Sequence, residues 1–571
     1  RFPPRKTTPE KIRQCLITFE DKNFYYHWGV DPLSIGRATY QNLKNKRIVS
    51  GGSTLTMQTI RLARNESRTF GEKVIEMILA TRLEFRASKE EILSMYVSHA
   101  PFGGNVVGLN AASWRYFGHS AEDLSWAESA MLAVLPNAPA IIHLSKGRKT
   151  LLAKRNRLLK QLLDKEIIDS SKAIASTYEL AVSEPLPDEP HPLPQIAPHL
   201  VSRFYQERNG RYSRTTIDKG MQTHIEDLAE RWSNEFNRSD IRNLAILVID
   251  IPSNQVVAYC GNVHFDRKQG GNQVDVIQAP RSTGSILKPF LYYAMLQEGS
   301  MLPDMLLPDV PVNINGYTPQ NFSMQYEGAV PASEALARSL NIPAVTMLQR
   351  YGVPKFHNFL QQIGFKTISR PSSHYGLSLI LGGAEATLWD VTNAYAQMGR
   401  SLVTGHSDSE TPVSSKEAEA RMIVEEDTKN RAVQHKSIWD KGAVWQTFNA
   451  LKEVNRPEEI DWKAIPSMQP VAWKTGTSYG FRDAWAVGVT PRYAVGVWVG
   501  NATGEGKPGL VGAQTAGPVL FDIFNYLPSS SWFERPTGVF IDAEVCHQSG
   551  HLKGRFCEDI DTLLVLPAGL R

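Results

Sequence analysis

Three short motifs, spread in order over the second half of the chain, constrain its fold and chemistry most. The first is a Ser-x-x-Lys pair, Ser285 and Lys288, which directly follows Gly284. Residues three apart lie one turn apart on one helix face, so the lysine amine comes within reach of the serine hydroxyl. An amine in that place activates a serine nucleophile. We therefore predict a helix that begins at Ser285.

The later motifs make this pair specific, since Ser-x-x-Lys alone occurs by chance in a chain of 571 residues. Ser339-Leu340-Asn341 follows, and then Lys474-Thr475-Gly476-Thr477 inside a β-rich run. In this order the motifs resemble the penicillin-binding protein and serine β-lactamase superfamily. Their flanks, residues 338–343 and 472–480, resemble the class A (bifunctional) penicillin-binding proteins, most closely the 1C type.

The resemblance implies that Ser285 attacks the penultimate D-alanine carbonyl of a stem peptide and forms an acyl-enzyme, and that β-lactams acylate the same hydroxyl. Lys288 would accept the serine proton. Ser339 would relay a proton to the leaving D-alanine, and Asn341 would orient Lys288 and the substrate amide.

The third motif is implied to bind the substrate carboxylate and backbone. Lys474 adds positive charge for the carboxylate, and Thr475 and Thr477 offer hydroxyls for it. Gly476 leaves room for the substrate backbone at the strand edge. The backbone amides of Ser285 and Thr477 would form the oxyanion hole.

Helical patterns dominate the first 140 residues, where Ser88 and Glu91 form a capping box at one predicted helix start. Residues 20–29, 51–58 and 73–96 contain sequences that resemble the glycosyltransferase domain of class A penicillin-binding proteins. Glu20 is thereby implied to be the general base on the acceptor 4-hydroxyl. Glu76 would organise the leaving pyrophosphate, directly or through a divalent cation such as Mg²⁺, although no cofactor is required.

The same resemblance implies a set of residues that hold phosphates or sugars: Asp21, Ser53, Gln58, Arg61 and Lys73. Arg61 and Lys73 would supply the positive charge that a departing phosphate needs. One departure is Glu72, which stands where the broader family carries arginine and removes one phosphate-pairing charge.

The composition is that of an ordinary globular protein, with 42% hydrophobic and 21% charged residues. The net charge of +4 is too small to indicate a nucleic-acid partner. We predict a multidomain α+β protein with four parts: a lysozyme-like α-helical glycosyltransferase domain at 1–140, a linker at 141–215 with a proline-rich run, a transpeptidase domain at 216–535 whose antiparallel sheet is covered by helices, and the start of a C-terminal extension at 536–571.

Two segments carry open alternatives. Cys546 and Cys557 are candidates for a small disulfide loop, and His547 and His551 beside them are candidates for a zinc site, although no metal site is predicted. Residues 30–48 are apolar on one side and basic on the other, which fits an anionic lipid surface or a core-packed helix with a solvated basic face. The charged region 401–466 is predicted to be a long insertion or loop.

The leading hypothesis is a bifunctional peptidoglycan synthase that polymerises lipid II into glycan strands and cross-links stem peptides. The resemblance implies a bacterial inner-membrane protein with an N-terminal anchor outside this sequence and its catalytic domains on the outer, periplasmic face. Alternatives are a D,D-carboxypeptidase, in which water resolves the acyl-enzyme, a scaffold with a weak glycosyltransferase domain, and a serine β-lactamase.

Overall fold

The computed structural model describes residues 2, 4–44, 52–66, 69–136, 147–169, 176–209, 211, 213–265, 270–403, 419–424, 438–457 and 468–570. The chain divides into two compact units, Arg1–Gln195 and Ile196–Arg571. Each unit has a hydrophobic core of its own.

Helices are the regular elements of the first unit within its described residues, as predicted. The helix starts follow local signals: the predicted capping box at Ser88 is formed, and Ser125 with Glu128 forms another. The helices are α1 (Glu10–Glu20), α2 (Pro32–Lys44), α3 (Leu55–Arg64), α4 (Phe70–Glu84), α5 (Lys89–His99), α6 (Leu109–Phe117), α7 (Trp126–Val134), α8 (Arg148–Asp164) and α9 (Thr177–Ser183).

The segment predicted as a linker, 141–215, is divided between the two units. The leucine face of α8, with Leu151, Leu158 and Leu159, is fully buried in the first core against α1 and α7. The proline-rich run is also held in this unit, because Arg148 donates to the carbonyl of Pro187 at 2.7 Å. The boundary therefore lies later than the predicted end of the first domain.

The second unit is built on one five-stranded antiparallel sheet. Its helices are α10 (Pro198–Glu207), α11 (Lys219–Phe236), α12 (Lys288–Glu298), α13 (Ala332–Ala337), α14 (Asn341–Tyr351), α15 (Val353–Gln362), α16 (Ser372–Tyr375), α17 (Leu388–Val403), α18 (Lys441–Lys452) and α19 (Ala516–Tyr526). Its strands are β1 (Asn243–Asp250), β2 (Gln255–Cys260), β3 (Arg281–Ser282), β4 (Leu306–Asp309), β5 (Gly328–Pro331), β6 (Glu385–Ala386), β7 (Ala472–Thr477), β8 (Asp483–Val489), β9 (Tyr493–Gly500), β10 (Ile541–Cys546) and β11 (Ile560–Val565).

The strand order of the main sheet is β2-β1-β9-β8-β7, so β7 is an edge strand. One face packs on α11 and α19, and the other packs on α17 and the core around α12. Every residue of β8 and β9 is buried, and the alternating direction of their side chains places Trp485 and Trp498 on the face that packs on α17. The predicted fold class is confirmed.

Two local predictions differ from the structure. Ser285 lies in a turn, and the helix begins only at Lys288. The region 401–466 contains α18, whose apolar face is buried, although 404–418, 425–437 and 458–467 lie outside the described residues. The predicted extension at 536–571 packs on the second core through β10 and β11.

The cysteine alternatives are not formed, since Cys546 and Cys557 are both free thiols. Across the described part of the chain, no group of three metal-binding side chains is assembled. In the same residues, no helix has the length and apolarity needed to cross a membrane.

Candidate active sites

The two carboxylates predicted for glycosyl transfer are brought to neighbouring places on one face of α3. Gln58 donates to Glu20 Oε2 at 2.8 Å. One turn later, Arg61 donates to both carboxylate oxygens of Glu76 at 2.7 Å. Positions three apart in a helix are neighbours on its surface. Helix α3 therefore holds Glu20, the last residue of α1, beside Glu76 of α4.

The Arg61–Glu76 pair places a fixed positive charge in this site. Glu76 is only 3% exposed, and its bidentate pairing compensates the burial of its charge. The hydrogen bonds that Arg61 donates to Glu76 in turn raise the pKa of Arg61. Arg61 also donates to Ser53 Oγ at 3.2 Å, and Lys73 stands one turn before Glu76 in α4. This arrangement suits the charge of a leaving phosphate.

Both carboxylate oxygens of Glu76 are bonded to Arg61, so the guanidinium charge stands where a divalent cation at this carboxylate would lie. Mg²⁺ is commonly held by one or two carboxylates together with waters and substrate phosphates, and the divalent cation predicted beside Glu76 stays a prediction.

Asp21, predicted to bind substrate, has its partners inside the protein. Its carboxylate lies 3.0 Å from His27 Nε2 and accepts from the Leu55 amide at 2.9 Å. These contacts fix the start of α3, and so Asp21 positions the helix that carries Gln58 and Arg61. The predicted substrate contact of Asp21 stays a prediction.

The nucleophile turn of the second unit packs directly on edge strand β7. Gly284 has φ +50°, and a Cβ there would lie 2.6 Å from the Thr477 carbonyl. A Cβ at Gly476 would lie 2.7 Å from the Thr283 carbonyl. Both glycines are thus required for close approach of two backbones. Ser285 is held beside the unpaired edge of β7, as an oxyanion hole requires.

The three motifs meet at two buried lysines. Lys288 Nζ donates to the Ser339 carbonyl and to Asn341 Oδ1, each at 2.7 Å, and to the Leu340 carbonyl at 3.1 Å. Lys474 Nζ donates to Ser339 Oγ at 2.8 Å, and Lys288 Nζ lies 3.5 Å from the same hydroxyl. Ser339 therefore bridges the two amines, and residues separated widely in sequence form one site.

One predicted contact differs. The hydrogen bonds of Lys288 run to residues 339–341, and within the described residues none joins it to Ser285 Oγ.

The third motif is placed as predicted on the strand edge. Thr475 lines a cavity of about 620 Å³ together with Ser339. Thr477 Oγ1 accepts from the Gly512 amide at 3.0 Å.

Burial shifts both amines toward the neutral form. It lowers the pKa of Lys474 to about 7. The pKa of Lys288 is held well below its usual range, first by burial and then by the neighbouring Lys474. An amine with a depressed pKa is available as a base near neutral pH.

The rate of Ser285 acylation by benzylpenicillin is therefore expected to be bell-shaped in pH. Falling pH protonates Lys288 and removes the base. Rising pH through about 7 neutralises Lys474, which is then unable to attract the penicillin carboxylate. Stopped-flow acylation rates across pH test this. The methyl ester of the same penicillin lacks the carboxylate and should lose only the alkaline limb; an unchanged limb with the ester would contradict the role of Lys474.

A buried amide that the sequence analysis missed holds the middle motif in place. Asn321, 2% exposed, accepts from the Asn341 and Ile342 amides at 2.9 and 3.2 Å and so caps α14. Its Nδ2 donates to Asp309 at 2.6 Å. Ser339 itself adopts a left-handed φ of +58°, a strained conformation that surrounding contacts must stabilise.

Replacing Asn321 with alanine is expected to lower the acylation rate constant of Ser285 about tenfold and to reduce the Tm. The change leaves two helix-start amides unpaired, and each unsatisfied buried group costs about 1–3 kcal/mol. Labelled-penicillin acylation and thermal unfolding measure the two effects. Gln320→Ala removes the neighbouring exposed amide and serves as the control. Equal effects of the two substitutions would contradict this role.

The fold and both sites define a protein with a helical glycosyltransferase unit followed by a serine acyltransferase unit of the penicillin-recognising type. Residues 1–163 match the Transglycosylase family, and residues 244–521 match the penicillin binding protein transpeptidase domain. The chain belongs to the class A penicillin-binding proteins.

Its relatives agree with this assignment. Penicillin-binding protein 1C of Escherichia coli (strain K12) is 36% identical over 91% of this chain. The chain spans 64% of the length of that relative. Penicillin-binding protein 1B of Vibrio cholerae is 28% identical over 99% of this chain and 73% of its own length. The crystal structure of Penicillin-Binding Protein 1A from Haemophilus influenzae shares the fold, with a TM-score of 0.56 and 17% identity over 90% of this chain and 93% of that one.

Proposed function

We propose that this protein is a bifunctional peptidoglycan synthase, which polymerises lipid II into glycan strands and cross-links their stem peptides. The observation that carries the proposal is the bridge of Ser339 Oγ between Lys288 and Lys474, within a unit whose nucleophile turn packs on β7. The paired carboxylate site on α3 supports the second activity.

In the cross-linking reaction, Ser285 Oγ attacks the carbonyl of the penultimate D-alanine while its proton passes to Lys288 Nζ. The peptide bond breaks, the terminal D-alanine leaves with a proton relayed through Ser339, and an ester to Ser285 remains. The amine of a second stem peptide then attacks that ester. Its proton returns by the same route, and Ser285 is released.

In the polymerising reaction, Glu20 removes the proton from the 4-hydroxyl of the acceptor disaccharide. That oxygen attacks the anomeric carbon of the donor with inversion, and the lipid pyrophosphate departs. Arg61, held by Glu76, and Lys73 stabilise its charge. The proposal includes no resident cofactor, because the guanidinium supplies the positive charge.

The first unit is proposed to rest on a membrane surface, from which lipid II is drawn. Apolar side chains exposed for more than three fifths of their surface cluster in and beside α2 and α4. They are Tyr26, Trp28, Leu33, Tyr40, Ile78 and Phe85. Their exposure favours the lipid interpretation of residues 30–44 over a core-packed helix.

Binding to vesicles with anionic lipid should weaken when Trp28 and Phe85 are both changed to serine. The location that follows is the bacterial cell envelope, at the inner membrane and on its outer side.

Two other candidate functions stay open to test. A carboxypeptidase would use the same serine site with water as acceptor. A scaffold with weak polymerising activity is favoured by one observation: Glu72 pairs with Arg64, which neutralises a cation beside the α3 site.

Purified protein supplied with labelled lipid II, with and without penicillin, distinguishes these functions. A synthase yields glycan strands in both cases and cross-linked muropeptides only without penicillin. Strands with trimmed tetrapeptides and no cross-links would support the carboxypeptidase. The absence of strands would support the scaffold and contradict the synthase.

A further inference from the structure

A cavity of about 460 Å³ lies in the serine unit at the far end of the helix that carries Lys288. It is formed by the last turn of α12, the end of α14 and the exposed side of α15. Helix α12 has 11 residues, so its last turn lies about 15 Å from Lys288 at 1.5 Å per residue. The volume is within the range of about 300–1,000 Å³ that small-molecule sites occupy. A ligand bound here would therefore leave the serine site accessible.

The charged groups of this cavity are paired with each other. Glu298 accepts from Lys355 Nζ at 2.6 Å and from the Tyr351 hydroxyl at 3.3 Å. Lys355 also lies 4.6 Å from the ring centre of Tyr351. Because the ion pair has no net charge, the cavity has no local field that would attract a phosphate or a peptide carboxylate. This lining favours a neutral ligand over an ion.

Three side-chain amides line the same cavity. Gln297 lies in the last turn of α12, and Asn358 and Gln362, four residues apart, lie on one face of α15. All three side chains are exposed, and within the described part of the chain none of their amides makes a hydrogen bond. Each amide carries a carbonyl acceptor and two N–H donors. Hydroxyl and acetamido groups, which also combine a donor with an acceptor, are their natural partners.

An apolar strip lies beside the amides. Ala294 and the half-buried Phe359 contribute to it, and Ile438 adds an exposed apolar side chain. The ring of Phe359 is held by stacking on Tyr293, with 5.8 Å between the ring centres. Apolar walls with a few convergent polar groups are typical of sites for small organic ligands. The C–H face of a sugar ring can pack on this strip while its hydroxyl and acetamido groups bond to the amides.

We propose that this cavity binds the glycan strand, through the N-acetylated sugars that the first unit polymerises. The proposal rests on the proposed synthase function. A strand held here keeps its stem peptides close to the serine unit and raises their effective concentration at Ser285 above that of free peptides. The cavity therefore favours cross-linking of polymerised strands over reaction with isolated peptides.

Amide hydrogen exchange of the whole chain tests the site, with chitotetraose, a soluble oligomer of N-acetylglucosamine, as the probe. We expect slower exchange in α15 and in the last turn of α12. Cellotetraose has the same sugar backbone without acetamido groups and should give little protection. In the double variant Asn358→Ala/Gln362→Ala, the chitotetraose concentration that gives half-maximal protection should rise about 10-fold or more, because two hydrogen-bonding amides are lost.

Gln206→Ala is the matched control, since it removes an exposed amide of α10 that does not line the cavity. It should leave the protection of α15 unchanged. Absence of protection by chitotetraose would overturn the proposal, and equal protection by cellotetraose would overturn the assignment to N-acetylated sugars. Protection of the double variant at the wild-type concentration would also contradict the site.

Cross-linking measures the consequence of the site for the reaction. Uncross-linked glycan strands and free pentapeptide serve as substrates, and benzylpenicillin acylation normalises each variant for the integrity of the serine site. The ratio of strand cross-linking to D-alanine release from free pentapeptide should fall about 3-fold or more in the double variant. An unchanged ratio would overturn the role of the cavity. Failure of the wild-type chain to cross-link strands would instead contradict the transpeptidase function, and the exchange experiment would still decide whether glycan binds here.

Discussion

Exchanging Lys288 for methionine is expected to lower the acylation of Ser285 by labelled penicillin by roughly 10³-fold or more. Methionine has a similar shape and no charge, so the change removes the base and leaves the nucleophile. Lys288 is 1% exposed and surrounded by oxygen acceptors at 2.7–3.1 Å. Among the residues that the structure describes, no other amine is placed to replace it, because Lys474 is committed to Ser339 and to the Thr475 carbonyl.

The loss should occur in the chemical step. The three acceptors of Lys288 lose their donor, so the Tm is also expected to fall, and acylation must be measured well below it. Lys355→Met, at an exposed lysine of α15, is the matched control and should acylate at the wild-type rate. Acylation of the Lys288→Met variant at a near wild-type rate would contradict the assignment of Lys288 as the base.

The chemistry of both sites was predictable from sequence because each motif is local. Ser285 and Lys288 are three residues apart, and Ser339 and Asn341 are two apart. Such pairs stay close together in space whatever fold the chain adopts. The start of α12 was predicted three residues early, because Gly284 packs on Thr477 and keeps the following turn non-helical, a constraint that only the folded sheet imposes.

Contacts between residues far apart in sequence, which hold the site residues in place, were not predictable because only the folded chain brings them together. Nothing in the sequence near Asn321 indicates that its amide caps a helix starting at Asn341. Asp21 was predicted to bind substrate because it follows Glu20 in sequence. It lies just past the end of α1, however, and its carboxylate points inward and accepts from the Leu55 amide. Region 401–466 looked irregular, because α18 is a short apolar helix flanked by charged sequence.

Glu20→Gln is expected to reduce polymerisation of lipid II by roughly 10²–10⁴-fold, the range for loss of a general base. The substitution preserves shape and the main contact, since the new amide carbonyl still accepts from Gln58, now 2.8 Å from the carboxylate. The negative charge is removed, and with it the capacity to take a proton. Strand synthesis is measured by gel separation of labelled glycan, with penicillin present to suppress cross-linking.

Glu10→Gln, the same substitution at an exposed acid on the same helix, should polymerise normally and controls for a general effect on α1. Penicillin acylation of Ser285 should be unaffected in both variants, because the second unit has its own core and its own site. Glycan synthesis by Glu20→Gln at the wild-type rate would remove this carboxylate from the mechanism. The base would then have to be sought elsewhere around α3, where Glu76 is already neutralised by Arg61.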